Sequence, residues 1–470
     1  MSDTPPRIIL ATSNGTGMGH LARQAAVALA LSGQVEPIVF SLSQAVHVVT
    51  RHGLRAEYCP SHHRNWMPHL SWHSYLGKRL AALLQETQAR VLAFDGVAPY
   101  LGLLRARAAH PDVAFVWIRR GLWRANANRR ALASRAFFDL VVEPGDLAAA
   151  ADRGATASLS DAVPVAPITV LEGNPPLSRA EAAAALGLDP DRPTALVTLG
   201  AGSINDTRTP ALAAIRSFLA TPDWQVAVTR APLALAVLPA ADVARVHELV
   251  GVYPLARYLA AFDAAVGAAG YNTVHELLPA GVPTLLVPNL ATATDDQIGR
   301  ARYLAAGRLA LCVENDSAEA ITRGVARLVD PAVRAELAKA CKALPTLSGA
   351  SATAELLTQL MDGYATHQPS LHERIRTIDL DMRARAMRTL GPTGTTAVRR
   401  VLGRLPVAGP VRPLGVRPLI TDDLDPDVLR REHPVEHLLP GSSTAYRLRR
   451  LAIAHDAYRW PTDSARMPLA

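Results

Sequence analysis

Short apolar runs at 7–13, 35–42, 91–96, 113–118 and 138–143 punctuate the first 165 residues. Between them, apolar positions recur at helical spacing over about 19–32, 72–88, 99–109 and 126–137. Strands alternating with helices imply a mostly parallel sheet covered on both faces. The stretch VPVAPITVLEGNPPLSRAE, 163–181, then gathers prolines around Gly-Asn-Pro-Pro and marks a boundary. The pattern restarts at Thr194-Ala-Leu-Val-Thr-Leu and continues with strands at 225–229, 264–267, 284–287 and 309–313. Helices lie between these strands, and three more carry the pattern to about 363. The expected fold class is α/β, with two Rossmann-like doubly wound domains, 1–165 and 166–365, facing across a cleft. Residues 366–470 form an extension, irregular at 391–420 and partly helical by pattern at 424–460.

Each predicted domain opens with a strand and a glycine turn, and ligands of such sheets bind beyond the carboxyl ends of the strands. The first turn reads Ser13-Asn-Gly-Thr-Gly-Met-Gly-His-Leu-Ala-Arg. Gly15 and Gly17 fit the opening of G-x-G-x-x-G, but His20 stands at its third glycine. The second strand ends in Phe40-Ser-Leu-Ser, with no acidic residue to hold a ribose, so a dinucleotide site is disfavoured. No Gly-Lys-Ser/Thr follows either, which removes a Walker loop. Small residues at Gly17 and Gly19 let backbone approach a ligand, and His20 at a helix start can take a proton near neutral pH. Asp95, at the end of a strand in AFDGVAPY, competes for the role of base.

Composition narrows the class. An apolar content of 49% with mixed charge describes a globular chain. No uninterrupted apolar stretch is long enough to span a bilayer, and MSDTPP lacks the features of a signal peptide. Three scattered cysteines, Cys59, Cys312 and Cys341, fit a reducing cytoplasm. Residues 370–470 hold 17 Arg, no Lys and 11 Asp or Glu, so most of the net charge of +8 lies there. An anionic membrane surface is one partner for this tail; a folded segment packed on the enzyme is the other reading. Lysine is rare throughout, and composition does not make the chain a nucleic-acid binder.

The stretch 263–304, DAAVGAAGYNTVHELLPAGVPTLLVPNLATATDDQIGRARYL, carries the most information. A strand ends at Gly267, and a helix beginning near Asn272 offers its N-terminus to a diphosphate. Glu276, a turn further in, suits two vicinal ribose hydroxyls. Asp295-Asp296-Gln297 opens another helix at the same edge of the sheet.

These residues resemble the GT-B nucleotide-sugar glycosyltransferases, in particular glycosyltransferase family 28. The resemblance covers roughly 7–345. It rests on Gly-Thr-Gly-x-Gly-His at 15–20, EGNP at 172–175, TLGAGSIN at 198–205, and GYNTVHELLPAGVPTLLVP with DDQ downstream. It implies that Glu276 binds the ribose of UDP, and that Gly270, Asn272, Thr273, Gly202 and Ser203 line the diphosphate. It implies further that Asp296 and Gln297 contact the donor sugar and that His20 faces the acceptor. The family inverts the anomeric carbon and uses no metal bound by Asp-x-Asp. The donor is therefore a UDP-sugar, with no cofactor expected, and the acceptor is lipid-linked, polysaccharide or a small molecule. Tyr271 stands where family members often carry a small residue.

HHRNWMPHLSWH, 62–73, places His69 and His73 at a ligand-like spacing, yet no cysteine or third carboxylate supports a metal. Acceptor binding suits this loop better. In FVWIRRGLWR, Arg119, Arg120 and Arg124 can hold an acceptor phosphate or form a solvated turn. The expected function is a cytoplasmic hexosyltransferase, or one peripheral at the inner face of the membrane. Its rivals are a nucleotide-sugar hydrolase of the same fold and a non-catalytic nucleotide-sugar or membrane-binding protein. A 2-epimerase needs acidic residues in the cleft that the sequence does not place.

Overall fold

The computed structural model describes residues 5–13, 17–31, 33, 35–61, 69–200, 206–230, 245–371, 373–375, 377, 378 and 382. Gly15, Gly202 and Ser203 of the two glycine turns lie outside these residues. So do the His-rich stretch 62–68, the side chain of His69, and the tail segments 391–420 and 424–460. The chain divides into two compact units. The first comprises Met1–Tyr58, Thr87–Pro99 and Val113–Ala365, and the second Cys59–Glu86, Tyr100–Asp112 and Thr366–Ala470.

The first unit contains two parallel sheets. One is built from β1 (Arg7–Thr12), β2 (Glu36–Ser41), β3 (Arg55–Tyr58), β4 (Val91–Asp95), β5 (Ala114–Ile118), β6 (Leu140–Pro144) and β7 (Val163–Val165). Its strand order is β3-β2-β1-β4-β5-β6-β7. Every residue of β4 and β5 is buried, which is why central strands of such a sheet read as continuous apolar runs. Strands β3 and β7 were not expected; both lie at sheet edges, β3 mixing charged and apolar residues and β7 being three residues long with a proline at its centre. The helix expected at 126–137 is instead a 3-10 segment, Arg129–Phe137.

The second sheet contains β8 (Thr194–Thr198), β9 (Gln225–Arg230), β10 (His247–Val250), β11 (Ala264–Ala268), β12 (Thr284–Val287) and β13 (Leu311–Cys312). Its order is β10-β9-β8-β11-β12-β13. Ile215, Phe218, Val266, Leu285, Ile321 and Leu328 anchor one of its cores. In each sheet the strand order reverses once, between β1 and β4 and between β8 and β11. Those reversals are where doubly wound sheets open a crevice at their carboxyl ends.

The Pro-rich boundary has a structural task. Glu172 of EGNP accepts hydrogen bonds from the backbone amides of Ala350 and Ser351, both at 2.8 Å. It thereby satisfies the start of helix Gly349–Gly363, which has no side-chain cap of its own. That helix packs back onto the first sheet, against β4, β5, β7 and helix α1 (Gly19–Ala30). A side chain at Gly349 would run into the carbonyl of Ala166 and into Pro167.

The second unit holds helix Leu101–Ala109 and most of helix His69–Thr87. The Trp72 indole donates to the Pro60 carbonyl at 2.7 Å and meets the Tyr100 ring edge-on. No described helix is long and apolar enough to cross a membrane.

Candidate functional site

The turn after β1 feeds α1, whose first residue is Gly19. Gln24 fixes this helix over the crevice by donating to the carbonyls of Ala11 on β1 and Ala93 on β4, at 3.0 and 2.9 Å. His20 and Arg23, three residues apart and so on one face, are thereby presented to the end of β4. There, Asp95 lies buried at 1% exposure. His20 Nδ1 is 2.7 Å from Asp95 Oδ1. Arg23 takes both carboxylate oxygens, Nε to Oδ2 at 2.8 Å and Nη2 to Oδ1 at 2.7 Å. The same Nη2 lies 2.8 Å from His20 Nδ1.

The charges in this cluster explain its protonation. Burial alone would raise the Asp95 pKa, but Arg23 and His20 outweigh it and hold the carboxyl at about 2. For His20 burial is again the largest influence and lowers its pKa, outweighing the pull of Asp95; Arg23 and Arg120 push the same way. A neutral imidazole beside a carboxylate results. With Nδ1–H donated to the carboxylate, the other ring nitrogen keeps its lone pair.

His20 and Asp95 line a small open cleft together with Gly96, Val97, Arg120, Gly121, Trp123, Thr294 and Asp295. One wall is the segment after β5. Its Arg124 amide donates to the Thr294 carbonyl at 2.6 Å, and the Asp296 amide donates to the Leu122 carbonyl at 3.0 Å. The three arginines of that segment part company. Arg119 is fully buried on Asp161 and Glu143 and does not line the cleft. Arg124 holds the carbonyls of Leu290 and Thr292. Arg120 alone of the three faces the cleft, loosely paired with Asp295 at 3.5 Å, its Nε without a hydrogen-bond partner among the described residues.

On the second sheet, β11 leads through Gly270 into helix Tyr271–Leu277. Gly267 permits that tight passage, since a Cβ there would stand 3.0 Å from the Thr273 methyl. Asn272 reaches the first half of the unit: its oxygen accepts from Arg23 Nη1 at 3.2 Å, and its amide donates to the Gly19 carbonyl at 3.3 Å. Gly17 and Gly19 have room for a Cβ as far as described protein atoms are concerned. Tyr271 is buried, with the guanidiniums of Arg23 and Arg120 5.1 and 5.0 Å from its ring centre. Its hydroxyl accepts from the Ile168 amide at 3.0 Å. The tyrosine therefore ties the boundary segment and both arginines to this helix. Such cation–ring contacts gain strength when desolvated.

Glu276 is half-buried, and its side chain makes no hydrogen bond among the described residues. Burial pushes its pKa up to about 8. Of the Asp295-Asp296-Gln297 triplet, Asp296 caps helix Gln297–Ala306 by accepting from the Gly299 amide at 3.0 Å. Gln297 accepts from the Asn289 amide at 2.9 Å. It is Asp295, not singled out from sequence, that faces the cleft, held by Arg300 Nη2 at 2.8 Å. Arg300, fully buried, also binds Asp146 and the Ala269 carbonyl. Arg23 was likewise missed, because an arginine in an alanine-rich helix reads as a solvated face. No group of three metal-type side chains occurs among the described residues.

Residues 243–356 match the model of the glycosyltransferase family 28 C-terminal domain. A segment of 102 residues is 34% identical to UDP-N-acetylglucosamine–N-acetylmuramyl-(pentapeptide) pyrophosphoryl-undecaprenol N-acetylglucosamine transferase of Xylella fastidiosa. It spans 21% of this chain and 27% of that protein. The same-named protein of Xanthomonas axonopodis pv. citri is 29% identical over 156 residues, 30% of this chain and 37% of its own. Among solved structures, the spinosyn forosaminyltransferase SpnP aligns over 76% of this chain and 100% of its own, with TM-score 0.52 and 14% identity. MurG of Acinetobacter baumannii aligns over the same shares with TM-score 0.50 and 16% identity. The two parallel sheets and these likenesses agree on a GT-B fold, in which residues 243–356 match the family 28 C-terminal domain.

Proposed function

We propose that the chain is an inverting, metal-independent glycosyltransferase that moves a hexosyl or N-acetylhexosaminyl group from a UDP-sugar to an acceptor hydroxyl. The observation that carries the reading is the His20–Asp95 pair, lining a cleft whose opposite wall belongs to the half with the family 28 domain. His20 accepts the hydroxyl proton as the acceptor oxygen bonds to the anomeric carbon. The bond from that carbon to the diphosphate breaks on the opposite face, and UDP leaves. Asp95 orients the ring and offsets the charge it gains. Glu276 holds the ribose, and Gly270 and Thr273 line the diphosphate with the turn containing Gly202 and Ser203. Asn272 reaches that region from its contact with Arg23 and Gly19. Asp296 and Gln297 contact the donor sugar, and Asp295, which lines the cleft, adds a further group beside them.

The relatives' printed names, which specify a UDP-sugar donor and an undecaprenol-linked acceptor, support a nucleotide donor and a lipid-linked or small-molecule acceptor. Arg120 suits an anionic acceptor. The basic tail suits an anionic membrane, and a cytoplasmic enzyme peripheral to that surface follows from both.

Thermal-shift titration with UDP, TDP and GDP tests the donor half. A UDP-selective rise in Tm, absent in Glu276→Ala, is expected. No shift with any nucleotide in the folded protein overturns the reading and favours a scaffold that has lost the chemistry.

A further inference from the structure

Asp95 and His20 satisfy only part of what this cluster contains. A carboxylate 2.7 Å from an imidazole ordinarily does two things at once: it orients the ring and it attracts a proton to it. For a base that must be empty before each turnover, the second effect is a handicap. In this chain the same carboxylate is gripped at both oxygens by Arg23, whose side chain is 2% exposed. Arg23 is itself held at its far end by the Asn272 oxygen and lies over the Tyr271 ring. The guanidinium thus has one place to be, set by contacts from α1, β4 and the helix after β11.

We propose that Arg23 is a positioning residue for the proton transfer: by matching the charge of Asp95, it lets that carboxylate orient His20 without drawing a proton onto the ring. This rests on the reading of His20 as the base. The charged groups facing His20 are Asp95 from β4, Arg23 from its own helix and Arg120 from the segment after β5; Asn272, from the helix after β11, is neutral. Burial is the largest influence favouring the neutral ring, and Arg23 and Arg120 add to it against the pull of Asp95. Removing Arg23 leaves Asp95 facing His20 with Arg120 as the remaining cation among the described residues, and the ring should then hold its proton to higher pH. The contact between Arg23 and Asn272 also carries this control into the donor half. A donor that engages Asn272 is felt at the base through one side chain.

The test is a proton titration that needs no substrate. In protein labelled with 13Cε1-histidine, the His20 resonance is identified by its loss in His20→Gln, and its midpoint is followed in wild type and Arg23→Gln. The expected result is a midpoint about one pH unit higher in Arg23→Gln, a tenfold gain in proton affinity. Arg23→Gln leaves a buried carboxylate uncompensated and can fail to fold. The comparison is therefore repeated between Asp95→Asn and Asp95→Asn combined with Arg23→Gln, where no such charge remains. The double variant should titrate higher than the single one. Unchanged His20 midpoints in either folded pair, with only a fall in thermal stability, overturn the proposal and make Arg23 a structural tie. Because the titration uses neither nucleotide nor acceptor, a failure to find UDP binding leaves it standing. Conversely, an unmoved midpoint leaves the UDP reading intact.

Discussion

Glu276→Gln separates the ribose-binding reading from a bland one through two effects of opposite sign. Burial raises the Glu276 pKa from an ordinary value of 4.5 to about 8. A group raised in the folded state contributes stability that is present below pH 4.5 and lost as pH climbs toward 8. At about 1.4 kcal/mol per pH unit, the loss reached at pH 7 is at most about 3 kcal/mol; solvent access to this half-buried side chain reduces it to about 2 kcal/mol. Glutamine does not ionise, so the unliganded variant should match wild type near pH 5 and exceed it by a few degrees in Tm at pH 8. With UDP that gap narrows. Wild type gains about 2.7 kcal/mol at a hundredfold excess over Kd. The variant forfeits a hydrogen bond to the ribose worth about 0.5–1.5 kcal/mol, which weakens binding about twofold to tenfold. Thermal unfolding from pH 5 to 8.5, with and without UDP, reads both effects. A stability difference that does not vary with pH would refute the burial argument, and an undiminished UDP response would refute the ribose assignment.

Other expectations follow from the same geometry. Asp95→Asn should lower kcat by about 10²–10⁴-fold and move the acid limb of the pH profile to lower pH, since His20 loses the one neighbour that favours its protonated form; a pH–rate profile reads both. Arg300→Ala strips Asp146 and Asp295 of a fully buried partner and should cost about 3–5 kcal/mol, seen as a lower urea midpoint. Both carboxyls sit below the usual range because Arg300 outweighs their burial. The stability they contribute therefore persists above about pH 4 and is lost only on acidification, which an acid-unfolding curve checks.

How much of this was legible in the sequence depended on burial pattern. Central strands such as β4 and β5 announce themselves because both faces are covered, leaving no polar residue to break the run. The edge strand Arg55–Tyr58 alternates exposed and buried positions over four residues, too few to stand out. At the site, the sequence presented His20 and Asp95 as rivals for one role. Seventy-five residues apart, they meet only because β1 and β4 are neighbours in the sheet. Arg119 and Arg120 look equivalent in sequence, yet they diverge at the end of β5: one is buried on Asp161 and the other reaches the cleft. Arg23 was hidden because its partners, Asp95 and Asn272, come from β4 and from the far half of the unit. No local spacing records such contacts.

Deprotonation of an acceptor by His20 during transfer from a UDP-sugar is read out by UDP release. Wild type and His20→Ala are incubated with UDP-N-acetylglucosamine, UDP-glucose or UDP-galactose, each with and without a panel of lipid-linked, polysaccharide and small-molecule acceptors. Release should require an acceptor and fall about 10²–10⁴-fold in His20→Ala while UDP still binds. Release at the same rate without any acceptor, or full activity in His20→Ala, would contradict it.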